Sequence, residues 1–215
     1  MKLTKIKSLV AAVVSLWSVA ALAETGEIIE KDFSGTLNLC VGDVFNYWAQ
    51  HSEPYRYELK SNSDGTVANG TAPYQSKNGG LFFTIKALKA GTTTIVFDFK
   101  RSQIPALNTY TATMTVNVSE ARVLNPGAQT TVSGWGSGTG ISDWKQKVDP
   151  SGFATVEIGT HTKNDMTATL TMGQNAGSGT VTIDNCSNSS GSEYIYAVTV
   201  TEPALLKYSL PSVFL

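Results

Sequence analysis

Two histidines, two cysteines, a scatter of acids and one glycine-rich run are the residues of this 215-residue chain whose types could support chemistry. His51 and His161 have no His-x-x-x-His or Cys-x-x-Cys spacing beside them, so both read as isolated surface histidines. No metal ion and no other cofactor is implied. The run Gly134-Trp135-Gly136-Ser137-Gly138-Thr139-Gly140 lacks the Gly-Lys-Ser/Thr ending and the following helix of a phosphate-binding loop. It reads instead as a flexible loop presenting Trp135 to a partner. No Gly-x-Ser-x-Gly run marks a nucleophile elbow. Asp43, Glu53, Glu58 and Asp64 show no paired-carboxylate spacing and read as loop acids that solvate the surface. No catalytic residue emerges, and the chain is read as a non-enzyme.

The N-terminus decides which residues count. Lys2, Lys5 and Lys7 precede a short apolar run through Leu9 and Leu16, and Ala21-Leu22-Ala23 forms a small-x-small cleavage site. Residues 1–23 therefore read as a cleaved signal peptide, which places the protein in the periplasm, at the cell surface or outside the cell. Removing three lysines from the chain's 16 basic residues leaves 13 against 17 acidic ones, a net charge near −4. Such a balance carries no basic footprint for nucleic acid. No later apolar run is long enough to cross a bilayer as a helix. In an oxidising compartment Cys40 and Cys186 could pair, and the rivals are two buried thiols or a bond to another chain.

The elements that must position any site are strands. Thr93, Ile95, Phe97 and Phe99 alternate with Thr94, Val96 and Asp98, and Tyr110, Ala112, Met114, Val116 and Val118 alternate with Thr111, Thr113, Thr115 and Asn117. Period-two patterns in β-branched and aromatic residues mark half-buried strands. Residues 81–86, 153–158, 166–172, 180–183 and 194–200 continue the theme, with Phe45 and Tyr47 expected to face one core. Trp144 is expected to pack on a second. Clusters such as Asp149-Pro150-Ser151-Gly152 and Ser187-Asn188-Ser189-Ser190-Gly191 supply the turns.

A boundary falls at Ser119-Glu120-Ala121-Arg122, after a strand and before the Asn125-Pro126-Gly127 turn. Each half then has roughly 80 to 95 residues, the size of one sandwich. The expected fold is all-β: two tandem immunoglobulin-like β-sandwiches, residues 24–119 and 122–202, then an apolar tail over 203–215. An intramolecular Cys40–Cys186 bond would have to cross the junction between the halves. It requires both cysteines at one shared end, or halves that lie side by side.

Within the first half, Val41-Gly42-Asp43-Val44-Phe45, Tyr55-Arg56-Tyr57-Glu58-Leu59, the stretch from Phe83 to Phe97, Lys100-Arg101 and the strand from Tyr110 to Val118 follow one another in a known order and spacing. Over about residues 36–118 this resembles the chagasin-like inhibitors of papain-type cysteine proteases, which are single immunoglobulin-like sandwiches. The resemblance implies a contact surface of three loops. The first would comprise His51, Ser52, Glu53, Pro54 and Tyr55, the second Asn78, Gly79 and Gly80, and the third Arg101, Ser102 and Gln103 with Ile104-Pro105. Here the first loop is shorter than the family's and lacks its Thr-Thr-Gly tip, and the third keeps the Arg without the Pro-Trp. The second half resembles bacterial immunoglobulin-like modules through Gly179-Thr180-Val181-Thr182-Ile183 and Tyr196-Ala197-Val198-Thr199-Val200.

Loss of an aromatic anchor matters, because a few Trp, Tyr and Arg residues carry most interface energy. The leading expectation is therefore a non-catalytic exported protein that binds a macromolecule through loops of its sandwiches, with inhibition of papain-type proteases as the alternative. A protein partner comes first, with carbohydrate open as a second ligand class. The tail, with Leu205, Leu206, Tyr208, Leu210, Val213, Phe214 and Leu215, is either docked on the second half or offered to a partner.

Overall fold

The computed structural model describes residues 32–49, 55–72, 81–101, 110–135, 144–162, 165–185 and 190–202. Residues 1–23 and the tail 203–215 lie outside them. The first half holds β1 (Phe33–Cys40), β2 (Val44–Ala49), β3 (Tyr55–Asn62), β4 (Ala68–Thr71), β5 (Leu81–Ala87), β6 (Gly91–Arg101) and β7 (Tyr110–Ser119). The second holds β8 (Val123–Leu124), β9 (Gln129–Trp135), β10 (Lys145–Asp149), β11 (Ala154–His161), β12 (Asp165–Met172), β13 (Gly177–Asp184) and β14 (Ser190–Val200).

The alternating strands bury the faces their patterns require. Ile95, Phe97 and Phe99 of β6 and Ala112, Met114, Val116 and Val118 of β7 are buried, as are Met166, Ala168, Leu170 and Met172 of β12. Phe45 and Tyr47 share the core face of β2, and Trp144 is buried with its indole N–H donating to the Thr162 carbonyl at 3.0 Å.

The described residues form three sheets. One is β1-β7-β6-β3, a second is β11-β12-β9, and the third runs β10-β13-β14-β2-β5-β4 with β8 beside β14. In the first half β1-β7-β6-β3 covers β2-β5-β4, with Phe97 of β6 stacked on Phe83 of β5 at 4.3 Å. In the second half β11-β12-β9 covers β10-β13-β14, where the Tyr196 hydroxyl of β14 donates to the Ser133 carbonyl of β9. Each half also opens with a strand running parallel to its last one, β1 along β7 and β8 along β14. These strand orders are immunoglobulin-like.

The halves lie side by side. β14 pairs antiparallel with β2 from Ser190↔Ala49 to Ile195↔Val44, so one seven-stranded sheet runs through both sandwiches. Across this seam the rings of Phe45 and Tyr194 approach to 4.9 Å, and the buried residues of both halves form one continuous cluster.

Two readings from sequence are corrected. Asp43 is no surface acid but fully buried, and Glu58 is no loop acid but a half-buried residue within β3. Trp135 does not sit on a loop: it is the last residue of β9, half-buried, with its ring stacked 6.3 Å from Tyr47. Glycine at 134 suggested a loop because its role lies elsewhere. A Cβ there would lie 2.7 Å from a ring carbon of Tyr194 and 2.9 Å from the Met166 methyl, so the strand needs glycine to pass beneath that ring.

Candidate functional site: the loop pole and the seam beneath it

Strand register brings the ends of many strands to one pole. Tyr55 pairs with Arg101, Ala49 with Leu81, Phe99 with Tyr110, and Ser190 with Ala49. Trp135 pairs with Asp165, and Lys145 with Asp184. The connections over 50–54, 73–80, 102–109, 136–143, 163–164 and 186–189 therefore all leave from this pole, three from each half. Because β14 joins β2 edge to edge, the two sets share one platform.

Under the pole lies an aromatic bed. Tyr47 meets Tyr57 edge-on at 6.4 Å and Phe83 at 5.2 Å, and Tyr57 contacts Phe99 at 5.3 Å. Trp135 from the second half closes the bed against Tyr47, its backbone N–H donating to the Tyr194 hydroxyl at 2.6 Å and its carbonyl accepting from that hydroxyl at 2.8 Å. Burial pushes the Tyr57 and Tyr194 phenols above their ordinary range.

Of the residues implicated by sequence, Tyr55 opens β3 and Arg101 ends β6, and their backbones are register partners. Trp135 stands at the same pole. His51, Ser52, Glu53, Pro54, Asn78, Gly79, Gly80, Ser102 and Gln103 lie outside the described residues, as does Cys186. His161 is exposed, with Nδ1 3.0 Å from the Gly159 carbonyl. Among the described residues no group of three His, Cys, Asp or Glu could hold a metal ion, and no helix is long and apolar enough to cross a membrane.

Sequence reasoning missed the clamp at the opposite pole. Asp43, in the β1–β2 turn, accepts through Oδ1 from Arg122 Nη1 (3.0 Å) and the Ala197 amide (2.8 Å). Through Oδ2 it accepts from Arg122 Nη2 (3.1 Å) and the Cys40 amide (2.9 Å). Arg122 also donates to the Ala197 carbonyl and the Cys40 sulfur, and lies over the Tyr196 ring at 5.5 Å. Burial works to lower the Arg122 guanidinium, but hydrogen bonding and charge from Asp43 outweigh it and hold it above its ordinary value. One ion pair thus ties the first half, the connector and β14 together. Gly42 fits this turn at φ 96°, with its Cβ position 3.1 Å from that of Ala197. The only sequence signal was an acid beside a turn glycine and an arginine in the connector, 79 residues apart.

The strand orders define the class: an all-β protein of immunoglobulin-like sandwiches. No family model matches the chain, and no curated protein does. Among solved structures it is similar to PbICP-C, determined in complex with falcipain-2, at 18% identity over 44% of this chain and 96% of that one, with a TM-score of 0.35. It is also similar to domains 5–6 of the S-layer protein SbsC, at 10% identity over 78% of this chain and 93% of that one, TM-score 0.30. A chimeric titin Z1Z2 tandem matches at 11% identity over 80% of this chain and 97% of that one, TM-score 0.30.

Proposed function

We propose that this is a non-catalytic exported protein that binds a protein partner through the connections at its loop pole. The observation that carries the reading is the convergence of six connections, three from each half, on one pole above an aromatic bed. Rigid strands that present loops over a packed aromatic layer suit recognition, because the loops can vary while the platform stays fixed. The test is capture of a partner from native envelope extract by the intact protein, with Arg101→Glu and the deletion of residues 137–141 as variants. Capture that survives both changes would place recognition elsewhere.

The alternative, inhibition of a papain-type protease by the first half, is supported by the pairing of Tyr55 with Arg101, the strand ends from which the first and third resembling loops leave. Titration of papain tests it. Stoichiometric inhibition that Arg101→Ala weakens by about 1–3 kcal/mol, the scale of an interface anchor, would establish it. No inhibition at micromolar protein would end it.

A further inference from the structure

The outer face of the seven-stranded sheet carries an apolar strip. Tyr194, Tyr196 and Phe45 point into the core, so Ile195, Ala197 and Val44 point outward, each half-buried, and Val44 is the register partner of Ile195. Further along β14, Val123 of β8 pairs with Thr199 and is 55% exposed. Leu88, which follows the last residue of β5, is 42% exposed. It adjoins the same corner, since the Ala87 carbonyl accepts from the Gly42 amide and Gly42 abuts Ala197. Leu88 and Val123 are two of the three large hydrophobics left exposed among the described residues. Lys86 on β5 and Lys147 on β10 bracket the strip in the register row that passes through Val44 and Ile195.

The chain leaves β14 at this corner. The Thr201 amide donates to the Leu124 carbonyl at 2.9 Å, beside Val123. Thirteen residues follow Glu202, of which Leu205, Leu206, Tyr208, Leu210, Val213, Phe214 and Leu215 are large and apolar and Lys207 alone is charged. Extended, they reach roughly 40 Å, whereas the strip from the level of Thr199 to that of Ile195 is about 13 Å long. The tail can therefore reverse after Pro203 and still run the full strip. Leaving both surfaces in water forgoes apolar burial on each.

We propose that residues 203–215 fold back in cis onto the strip formed by Val44, Ile195, Ala197, Val123 and Leu88, strapping the seam between the halves from outside. The strip is then an interaction surface that a competing apolar segment reaches only by displacing the tail.

Hydrogen exchange on the full chain, at two protein concentrations, tests this against a free peptide of residues 203–215. The expected result is exchange of the tail amides slowed about tenfold or more relative to the peptide, independent of concentration. Leu88→Asp with Val123→Asp should return the tail to peptide rates while β6 and β7 amides stay protected. Val123→Ser, milder on an exposed position, should give a partial loss. Tail exchange at peptide rates in the unmodified chain would overturn the proposal. So would protection that rises with concentration, which marks a second copy as occupant, or protection that survives the substitutions.

Discussion

Replacing Arg122 with Met keeps much of the side chain's length and apolar stem while removing the guanidinium. Asp43, with no exposed side-chain surface, would keep the Cys40 and Ala197 amides as donors and lose both arginine bonds. The Ala197 carbonyl would lose its side-chain donor as well. Breaking a buried ion pair from one side costs about 3–5 kcal/mol, because the remaining charge stays buried without its partner. The two retained amide bonds favour the lower part of that range, so we expect a loss of about 3–4 kcal/mol. With a urea m-value of about 2 kcal/mol per molar, the unfolding midpoint falls by about 1.5–2 M.

The assay is urea unfolding followed by tryptophan fluorescence and by far-ultraviolet circular dichroism. Both signals should change together, since one core spans the halves. A double-mutant cycle with Asp43→Asn should show a coupling of about 2 kcal/mol or more. A loss below about 1 kcal/mol, or a coupling below about 0.5 kcal/mol, would refute the clamp as a stabilising tie. Separate transitions for the halves in the unmodified chain would refute the shared core.

Three further outcomes follow. Gly134→Ala should cost about 1–3 kcal/mol, because its methyl meets the Tyr194 ring; an unchanged melting temperature would show that β9 does not need the close approach. Tyr57, Tyr194 and Tyr196 all have phenols raised by burial. Stability from these groups is fully present below the unfolded value near pH 10 and is lost as pH rises towards the folded values. The share of phenolate absorbance that belongs to these three of the chain's eight tyrosines should therefore appear only together with unfolding in an alkaline titration, and its appearance in a still-folded protein would contradict the burial. Finally, alkylation of denatured, unreduced monomer should find both Cys40 and Cys186 as thiols. Asn185, next to Cys186, is bonded to Ser192, whereas the Cys40 turn is bonded to Ala197, five residues further along β14. That offset is about 16 Å, one further residue spans about 3.8 Å, and a disulfide needs Cα atoms within about 7 Å. A monomer without free thiols would refute the register argument.

The sequence was most legible where side chains alone declare a face. β7 and β12 alternate throughout, and β6 and β14 over most of their length, because one side of each is packed and the other more open, although Asp98 and Ser192 are buried as well. β1, β9 and β10 were missed because polar residues and glycine interrupt them, and β10 shows only Val148 as a half-buried apolar residue. The seam left no trace, since strands join edge to edge through main-chain bonds that any sequence can make. For the site, pairing of Tyr55 with Arg101 was implicit in the order of the resembling segments. Trp135 was misplaced because glycine was read as permissive rather than as the residue that fits under Tyr194.

The seam also bears on why the halves are arranged this way. Edge strands invite pairing with other chains, and most edges here are blunted. β4 has four residues, β10 has five with two exposed lysines, and β3 and β11 are broken by register shifts at Leu59/Ser61 and Ile158/His161. β14 is different: eleven residues, regular in register with β13 from Gly177 to Asp184. In an isolated second sandwich β8 would guard only Thr199 and Val200, leaving the stretch beside Ser190 to Ile195 open. Pairing with β2 covers that stretch, and the same act turns the second half's connections toward the first half's. Fixing their relative orientation in the free protein removes that ordering cost from any binding event that uses both sets. A flexible linker between independent sandwiches would leave it to be met on binding, which is the physical advantage of sharing a sheet instead of merely sharing a chain.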